Sequence, residues 1–302
     1  MIKKYFIDRI KKKNVEGNSP YEFCIFEGAN PQVYGLPSTD RRVFLRENRF
    51  GFFLNNEQAH FCDGVFSNSS ENMTLKYLSS PPNTNPLWTI LVQNVRNDYV
   101  ISDVFAESIV ALNDPRSAVY FDTNISTFTG GVYGATNEFP DFTHIGTTFN
   151  LPDLEGLLLS YSEVSFYLAE AAQKGFNVGS TSAKDYYEAG IKASMDYWGI
   201  DSTLVDAYLL EADVIYNPAN WRSQIGTQLW IASFNRGFEG WSAIRKYDFK
   251  TFAPAIGSGE NIPNRFKYPQ TEQNINNSNL NAAAAAMPGG DSKATKIFWD
   301  KN

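Results

Sequence analysis

The sequence predicts a mainly α-helical protein with long irregular loops and a few short strands. From about residue 97 onward, apolar residues recur every three or four positions, which is the spacing of an α-helix with one buried face. In residues 14–87, by contrast, Asn, Ser, Gly and Pro separate short apolar pieces, which indicates loops around short strands. The chain therefore divides into a loop-rich first part and a helical second part.

Length and charge narrow the possible functions. The chain has 302 residues, enough for one large domain or two ordinary ones. Its 26 basic and 33 acidic residues give a formal net charge of -7, so neither nucleic acid nor anionic lipid is an expected partner. Its apolar windows fall short of the roughly 18 residues that a membrane-spanning helix needs.

The N-terminus and the cysteines predict neither export nor metal binding. The basic start at residues 1–4 is followed by charged residues 8–13 rather than an apolar stretch, and no small residues precede Cys24 as they would a lipidated cysteine. Cys24 and Cys62 lie far apart without a CxxC pattern, so neither a zinc site nor a disulfide framework is expected. Two unpaired buried thiols are expected, and a single disulfide stays open for an exported chain. His60 is expected to be structural, and no cofactor is expected.

Apolar stripes locate the first helices. One helix is predicted from about Asp98 to Leu112, and Asp114-Pro115 ends it because the residue before a proline leaves the α region. The clearest unit runs from residue 155 to 199, where two amphipathic helices joined by a short loop predict an antiparallel αα-hairpin. Gly175 fits the end of the first helix, and the hydroxyls at 180–182 fit the start of the second.

Further helical pieces follow the hairpin. One begins near Asn217-Pro218, and another follows a break at Gly237. Beyond Phe252 the chain is irregular, apart from a small helix at the alanines 282–286. Four tryptophans at helical spacing are expected in the core rather than in a binding site: Trp198, Trp221, Trp230 and Trp241.

Short sequence blocks recur in a distinctive order. The central blocks are Asn85-Pro86-Leu87-Trp88, Arg96-Asn97-Asp98, Asn113-Asp114-Pro115-Arg116 and Tyr120-Phe121. The later blocks are Leu168-Ala169-Glu170-Ala171, Gly190-Ile191, Trp198-Gly199, Gln224 to Trp230, Arg245-Lys246, Ile262 to Pro269 and Phe298-Trp299-Asp300. In this order, over roughly residues 75–302, they resemble the SusD/RagB family of outer-membrane nutrient-uptake lipoproteins.

The resemblance implies both a fold and a function. The fold would be a remnant of a tetratricopeptide-like αα-superhelix, with residues 155–199 as the family's last helix pair. The function would be non-catalytic binding of an oligosaccharide on the extracellular face of the cell outer membrane, as partner of a TonB-dependent transporter that imports the glycan. A peptide ligand is the alternative within the family. An inactive fragment or helical interaction module without a ligand of its own is a third hypothesis.

The sequence also departs from the family. Family members are longer and carry a signal peptide, a lipidated cysteine and several more helical repeats, which we expect to be missing here. Lys246 follows Arg245 where the family has a second arginine, and a lysine cannot form a planar two-point ion pair. Residues 1–74 do not align and are treated as a separate loop- and strand-rich segment. With one hairpin evident, part of an apolar face should be exposed unless residues 1–80 cover it, so marginal solubility or self-association is expected.

The stretch from Tyr120 to Phe142 has the composition of a saccharide site. A sugar ring offers an apolar C–H face and a rim of hydroxyls, so its site needs flat aromatic rings beside polar side chains. Glycines at 130, 131 and 134 are expected to loosen this loop. The predicted ligand contacts are Trp88, Tyr120, Phe128, Tyr133, Asn137 and Phe142. The alternative is an ordinary loop whose rings pack into the body.

Catalysis is the less favoured interpretation. A glycoside hydrolase needs two carboxylates about 5 to 10 Å apart, and 33 acidic residues leave that possibility open. Glu163 and Glu170 lie one heptad apart on a helix, where we expect them to face solvent. The sequence contains no nucleophile elbow, P-loop or dinucleotide fingerprint, so the protein is not expected to be an enzyme.

Overall fold

The computed structural model describes residues 66–300 and, before them, the backbone of two short strands at 53–55 and 58–60. The predictions about Cys24, Cys62 and an N-terminal leader lie outside these described residues, as does the side chain of His60. Within residues 66–300, no helix combines the length and the apolar character that crossing a membrane requires.

Short strands form two antiparallel pairs. Strand β1 (Phe53–Asn55) pairs with β2 (Gln58–His60), and β3 (Met73–Leu75) pairs with β4 (Gly156–Leu159). In the second pair Leu75 lies opposite Gly156, with an irregularity in register between Met73 and Thr74. This pairing holds the segment before the helices against the helical body.

Helices dominate the rest of the described chain. The α-helical segments are α1 (Pro86–Trp88), α2 (Asp103–Ala111), α3 (Ser117–Tyr120), α4 (Tyr161–Gln173), α5 (Ala183–Tyr197), α6 (Ser202–Tyr208), α7 (Trp221–Ala232), α8 (Gly237–Tyr247), α9 (Gln270–Ile275) and α10 (Asn277–Ala285). A π-helical turn at Thr89–Gln93 continues α1, and 3-10 turns lie at Ser69–Glu71, Phe139–Asp141 and Thr147–Asn150. The predicted mainly α fold class is confirmed.

Helices α4 and α5 form the expected hairpin, with caps where the sequence predicts them. The hydroxyl of Ser182 accepts a hydrogen bond from the Asp185 N–H at 3.1 Å, and Gly175 after α4 has a φ of +80°. The first helix is shorter than predicted, because residues 156–159 form β4 instead of a helical turn. Pairing with the distant strand β3 makes residues 156–159 extended. The local spacing of apolar residues gives no sign of this pairing.

Two apolar clusters hold the helices together. The larger one lies where the hairpin packs on α7 and α8, and its buried members include Phe166, Tyr187, Ile191, Met195 and Ile225. The second surrounds α2 and contains Phe105, Ile109, Tyr120, Phe149 and Ile231. Of the four tryptophans predicted to be core residues, Trp198, Trp221 and Trp230 pack against these clusters.

Two glutamates of α4 that we expected to face solvent are buried. Glu163 is 1% exposed and pairs with Arg236 at 2.7 Å, whereas Glu170 is 7% exposed and pairs with Lys246 at 2.7 Å. The prediction was wrong because the partner cations lie on α8 and just before it, and heptad spacing cannot show them. Lys246 thus forms an ion pair in the fold through its one ammonium nitrogen.

A fully buried ion pair ties the loop after α2 to the hairpin. Arg116 Nη2 lies 2.6 Å from Asp114 Oδ2, and both side chains are 0% exposed. The same guanidinium donates to Ser194 Oγ on α5 at 3.0 Å and to Gln228 Oε1 on α7 at 2.7 Å. The loop that follows is therefore anchored at its start.

Candidate functional site

The first part of the predicted binding loop runs close along the start of α2. The Gly131 N–H donates to the Ile101 carbonyl at 2.8 Å, and the Asp103 N–H donates to the Gly131 carbonyl at 2.9 Å. A Cβ added at Gly130 would lie 2.4 Å from the Asp103 backbone. These glycines allow two backbones to approach each other. The expectation that they loosen the loop was wrong.

The next residues join this loop to a second, distant segment. The Tyr133 hydroxyl donates to the Ala253 carbonyl, and the Ile256 N–H donates to the Tyr133 carbonyl at 3.3 Å. Gly134 has a φ of +84°, and a Cβ there would lie 2.7 Å from the Ile256 nitrogen. A side chain at this position would separate the two segments, so glycine is what brings them together.

An open cleft of about 550 Å³ lies between these two segments. Tyr133 lines one wall, while Phe252 and Phe266 come from the irregular chain after α8. Trp230 of α7 lies behind Phe252, with 5.8 Å between the ring centroids and an interplanar angle of 72°. Ser102 and Val104, at the start of α2, also line the cleft. The cleft thus presents several aromatic rings to solvent.

Exposed aromatic rings continue outside the cleft. Phe266 is 69% exposed, and its ring centroid lies 6.2 Å from that of Phe238, which is 61% exposed. On the other side Phe266 meets the edge of Trp241 at 5.2 Å. We call Phe238, Trp241 and Phe266 the aromatic ledge. Phe238 and Phe266 are exposed, whereas Trp241 is half-buried, and exposed rings in contact mark interaction sites more often than isolated ones do.

Charged side chains border the same cleft. Arg265 pairs with Asp291 at 2.6 Å with both side chains nearly buried, and Lys293 pairs with Glu260 at 2.7 Å near the surface. The hydrogen bond from Lys293 and its positive charge lower the pKa of Glu260, so this carboxylate is ionised at neutral pH. Lys267 also lines the cleft, and in the described part of the chain no carboxylate lies within ion-pair distance of it.

The six predicted contact residues do not come together. Tyr133 lines the cleft. Tyr120 is 0% exposed and stacks on Phe234 with 4.3 Å between centroids, so the structure corrects its assignment from ligand contact to core residue. Its aromatic sequence neighbourhood was compatible with either role. Phe128 is half-buried and packs edge-on against Phe121 at 5.0 Å.

The remaining predicted residues lie outside the cleft. Asn137 uses its amide within its own loop, accepting from the Val132 N–H and donating to the Val132 carbonyl, both at 3.0 Å. Trp88 ends α1 and Phe142 follows a 3-10 turn, and both are half-buried. Their contact with a ligand stays a prediction.

Sequence reasoning missed most of the cleft. Phe252, Arg265, Phe266 and Lys267 lie in the irregular part of the chain, where no periodicity assigns a face to a side chain. The block Ile262 to Pro269 stands out in the sequence only through the family resemblance. Its mixture of aromatic and basic residues is the signal that could have drawn attention to it.

Comparisons with known proteins identify the family. The family SusD-like, described as starch-binding and associating with the outer membrane, matches residues 55–269, which is well over half of the chain. The protein belongs to the SusD-like family. The resemblance noted in the sequence is thereby confirmed. No curated protein matches the SusD-like chain.

Solved structures share the fold of the SusD-like chain. A chitin-binding SusD homologue from Flavobacterium johnsoniae matches with a TM-score of 0.64 and 26% identity, over 78% of this chain and 55% of that one. A SusD homologue from Bacteroides fragilis gives 0.67 and 23%, over 78% and 58%. One from Bacteroides thetaiotaomicron gives 0.66 and 23%, over 79% and 58%. The SusD-like chain therefore spans somewhat more than half the length of these relatives.

Proposed function

We propose that this SusD-like protein is a non-catalytic saccharide-binding protein of the outer-membrane surface, and that it holds an oligosaccharide in the cleft between Tyr133 and Phe266. The observation that carries the proposal is the meeting of aromatic rings from two distant segments around an open cleft of about 550 Å³. That volume is within the range of small-molecule sites, and ring faces beside polar groups suit a sugar. A chitin-binding homologue of the same fold supports it.

The aromatic ledge favours a chain of sugars over a single one. Phe266 belongs to both the cleft and the ledge, and Phe238 extends the exposed rings beyond it. A ligand that stacks one ring in the cleft can place its next ring on the ledge. An oligosaccharide would use both surfaces, whereas a monosaccharide would use one.

The carboxylates support binding rather than hydrolysis. Glycoside hydrolysis needs two carboxyl groups flanking the scissile bond. Among the cleft residues that the structure describes, Glu260 is the one carboxylate, and Lys293 pairs with it. Glu163 and Glu170 are held in buried ion pairs of the helical body.

Delivery of the saccharide to a TonB-dependent transporter is the second half of the proposal. It rests on membership of a family described as associating with the outer membrane. Affinity purification of the tagged protein from detergent-solubilised outer membranes should recover such a transporter. Recovery of the protein without a transporter would contradict this partnership and would not affect the proposal of saccharide binding.

Calorimetric titration tests the binding itself. We expect saturable binding of chito- or malto-oligosaccharides, with affinity increasing from disaccharide to hexasaccharide, and loss of binding in Phe266→Ala. Phe298→Ala is the matched control, because Phe298 is 84% exposed and does not line the cleft. If extended peptides bind and oligosaccharides do not, the ligand is a peptide, which is the alternative within the family. Release of shorter sugars during the titration would contradict the non-catalytic role.

A further inference from the structure

The charges of the cleft do not balance. Among its described lining residues, three are basic, namely Arg265, Lys267 and Lys293, and one is acidic, Glu260. Asp291 neutralises Arg265 from behind, and Glu260 neutralises Lys293. Lys267 is the remaining cation, in a chain whose formal net charge is -7. A positive cleft on an acidic protein is a local feature that the overall composition does not predict.

Lys267 lies near both ion pairs of the cleft. Its positive charge helps to lower the pKa of both Glu260 and Asp291, so it is close enough to act on each carboxylate. Each carboxylate nevertheless pairs with another cation, at 2.7 Å for Glu260 with Lys293 and 2.6 Å for Asp291 with Arg265. The ammonium group of Lys267 is therefore available to an anion that enters the cleft.

Aromatic rings line the same cleft as this cation. Phe266 precedes Lys267 in sequence and is 69% exposed, while Tyr133 lines the same cleft. A ring face and an adjacent ammonium suit a sugar that carries a carboxylate, because the apolar C–H face stacks while the carboxylate accepts a charge-assisted hydrogen bond. A neutral sugar would use the ring and leave the ammonium without a partner.

We propose that the cleft selects acidic saccharides, meaning oligosaccharides with uronic acid units, and that Lys267 binds the carboxylate while Phe266 and Tyr133 stack on the sugar. This inference rests on the proposed saccharide-binding function and narrows it to one ligand class. Glu260 acts as a counter-charge that limits the attraction, and its removal strengthens the binding of an acidic sugar.

The test uses sugars that differ only in charge. Tetrasaccharides of hyaluronan, of mannuronate-rich alginate and of polygalacturonate are each titrated beside their carboxyl-reduced forms, at low and high salt. We expect at least one acidic tetrasaccharide to bind about five-fold or more tightly than its reduced partner, and this preference to shrink as salt rises.

Variants assign the preference to the cleft. Lys267→Met removes the preference, because it weakens binding of the acidic sugar several-fold more than binding of its reduced form, and Glu260→Gln increases the preference. Lys184→Met is the matched control, since Lys184 is an exposed lysine on α5 that pairs with Glu188. If Lys267→Met does not fold, Lys293→Met gives a second measurement, because it leaves the Glu260 carboxylate uncompensated in the cleft and so weakens binding of the acidic sugar.

The outcomes separate the two proposals. Equal binding of acidic and reduced sugars, or a preference that survives Lys267→Met, overturns the acidic selectivity and leaves saccharide binding in place. If none of these sugars binds, and chito- and malto-oligosaccharides also fail, saccharide binding itself is overturned and the selectivity with it.

Discussion

At the scale of single residues, buried charges anchor this fold. Arg116 and Asp114 are completely enclosed, and each depends on the other for compensation. Removing one partner of a buried pair leaves an uncompensated charge, which costs much more than the intact pair contributes. The sequence block that contains both residues was evident, but nothing in it shows that α5 and α7 close over them.

Asp114→Ala should lower the free energy of unfolding by about 3–5 kcal/mol, because it leaves the Arg116 guanidinium buried without its carboxylate. Urea denaturation measures the change. The control is Asp98→Ala, which removes the partner of Arg96 from an exposed pair and should leave stability unchanged within error. Equal effects of the two substitutions would contradict the buried charge as the cause.

Glu170 makes stability depend on pH. Burial opposes its ionisation, but Lys246 and Lys174 outweigh burial and lower its pKa from 4.5 to about 2. Because the folded pKa lies below the unfolded value, the stabilisation is fully present above about pH 4.5 and is lost as the pH falls toward 2. It is on the order of 3 kcal/mol at neutral pH.

Glu170→Gln should remove this dependence. We expect the variant to be less stable than the natural protein at pH 7, and the difference in urea midpoint to narrow between pH 5 and pH 3. The neighbouring cations are tolerated in the variant because Lys174 and Lys246 both reach solvent. A difference that stays constant over this range would show that the glutamate contributes through packing and not through its charge.

At the scale of elements, the hairpin depends on a small residue at the contact between its helices. A Cβ added at Gly190 of α5 would lie 2.8 Å from the Phe166 ring of α4, and that ring is completely buried. Gly190→Ala should therefore destabilise the protein by about 1–3 kcal/mol, although alanine favours helix formation. Thermal denaturation measures the effect.

Gly237→Ala is the matched control for the hairpin contact. Gly237 begins α8, and no heavy atom lies within 4 Å of an added Cβ. With no close contact to relieve, alanine should leave the melting temperature unchanged or raise it. If Gly190→Ala were equally harmless, the two helices would have to be packed less tightly than the structure describes.

Helices and strands differ in how far the sequence predicted them. The helices at 103–111, 161–173, 183–197 and 221–232 follow from apolar spacing and, for 183–197, from the cap Ser182, which are local properties. Strand β4 does not follow from local properties, because Gly156 to Leu159 are extended only through pairing with Met73 to Leu75. Local patterns predict the elements whose hydrogen bonds are local.

At the scale of the whole molecule, the cleft also depends on contacts between distant parts of the chain, which local sequence patterns do not predict. Tyr133 could be found from its aromatic and polar surroundings, but its partners Phe252 and Phe266 lie more than a hundred residues later in a segment without regular structure.

The expected self-association stays a prediction. The structure does show residues 66–78 covering part of the hairpin, where Asn72 accepts a hydrogen bond from the Tyr161 N–H at 2.7 Å.

Because the cleft exists only where these two segments meet, moving them apart should weaken ligand binding more than it weakens the fold. Gly134→Ala adds a Cβ 2.7 Å from the Ile256 nitrogen and places alanine at a φ of +84°. Gly175→Ala carries nearly the same backbone strain, at a φ of +80°, with nothing near its Cβ. Each should lose about 1–2 kcal/mol of stability from the left-handed conformation.

Calorimetry with the tightest-binding oligosaccharide should then separate these two glycine variants. We expect several-fold weaker binding in Gly134→Ala and unchanged affinity in Gly175→Ala, because only the first substitution changes the distance between the cleft walls. Matching melting temperatures would show that strain is equal in the two variants. Equal affinities at equal stability would mean that the saccharide does not bridge the segments of Tyr133 and Phe266, and that the cleft is not its site.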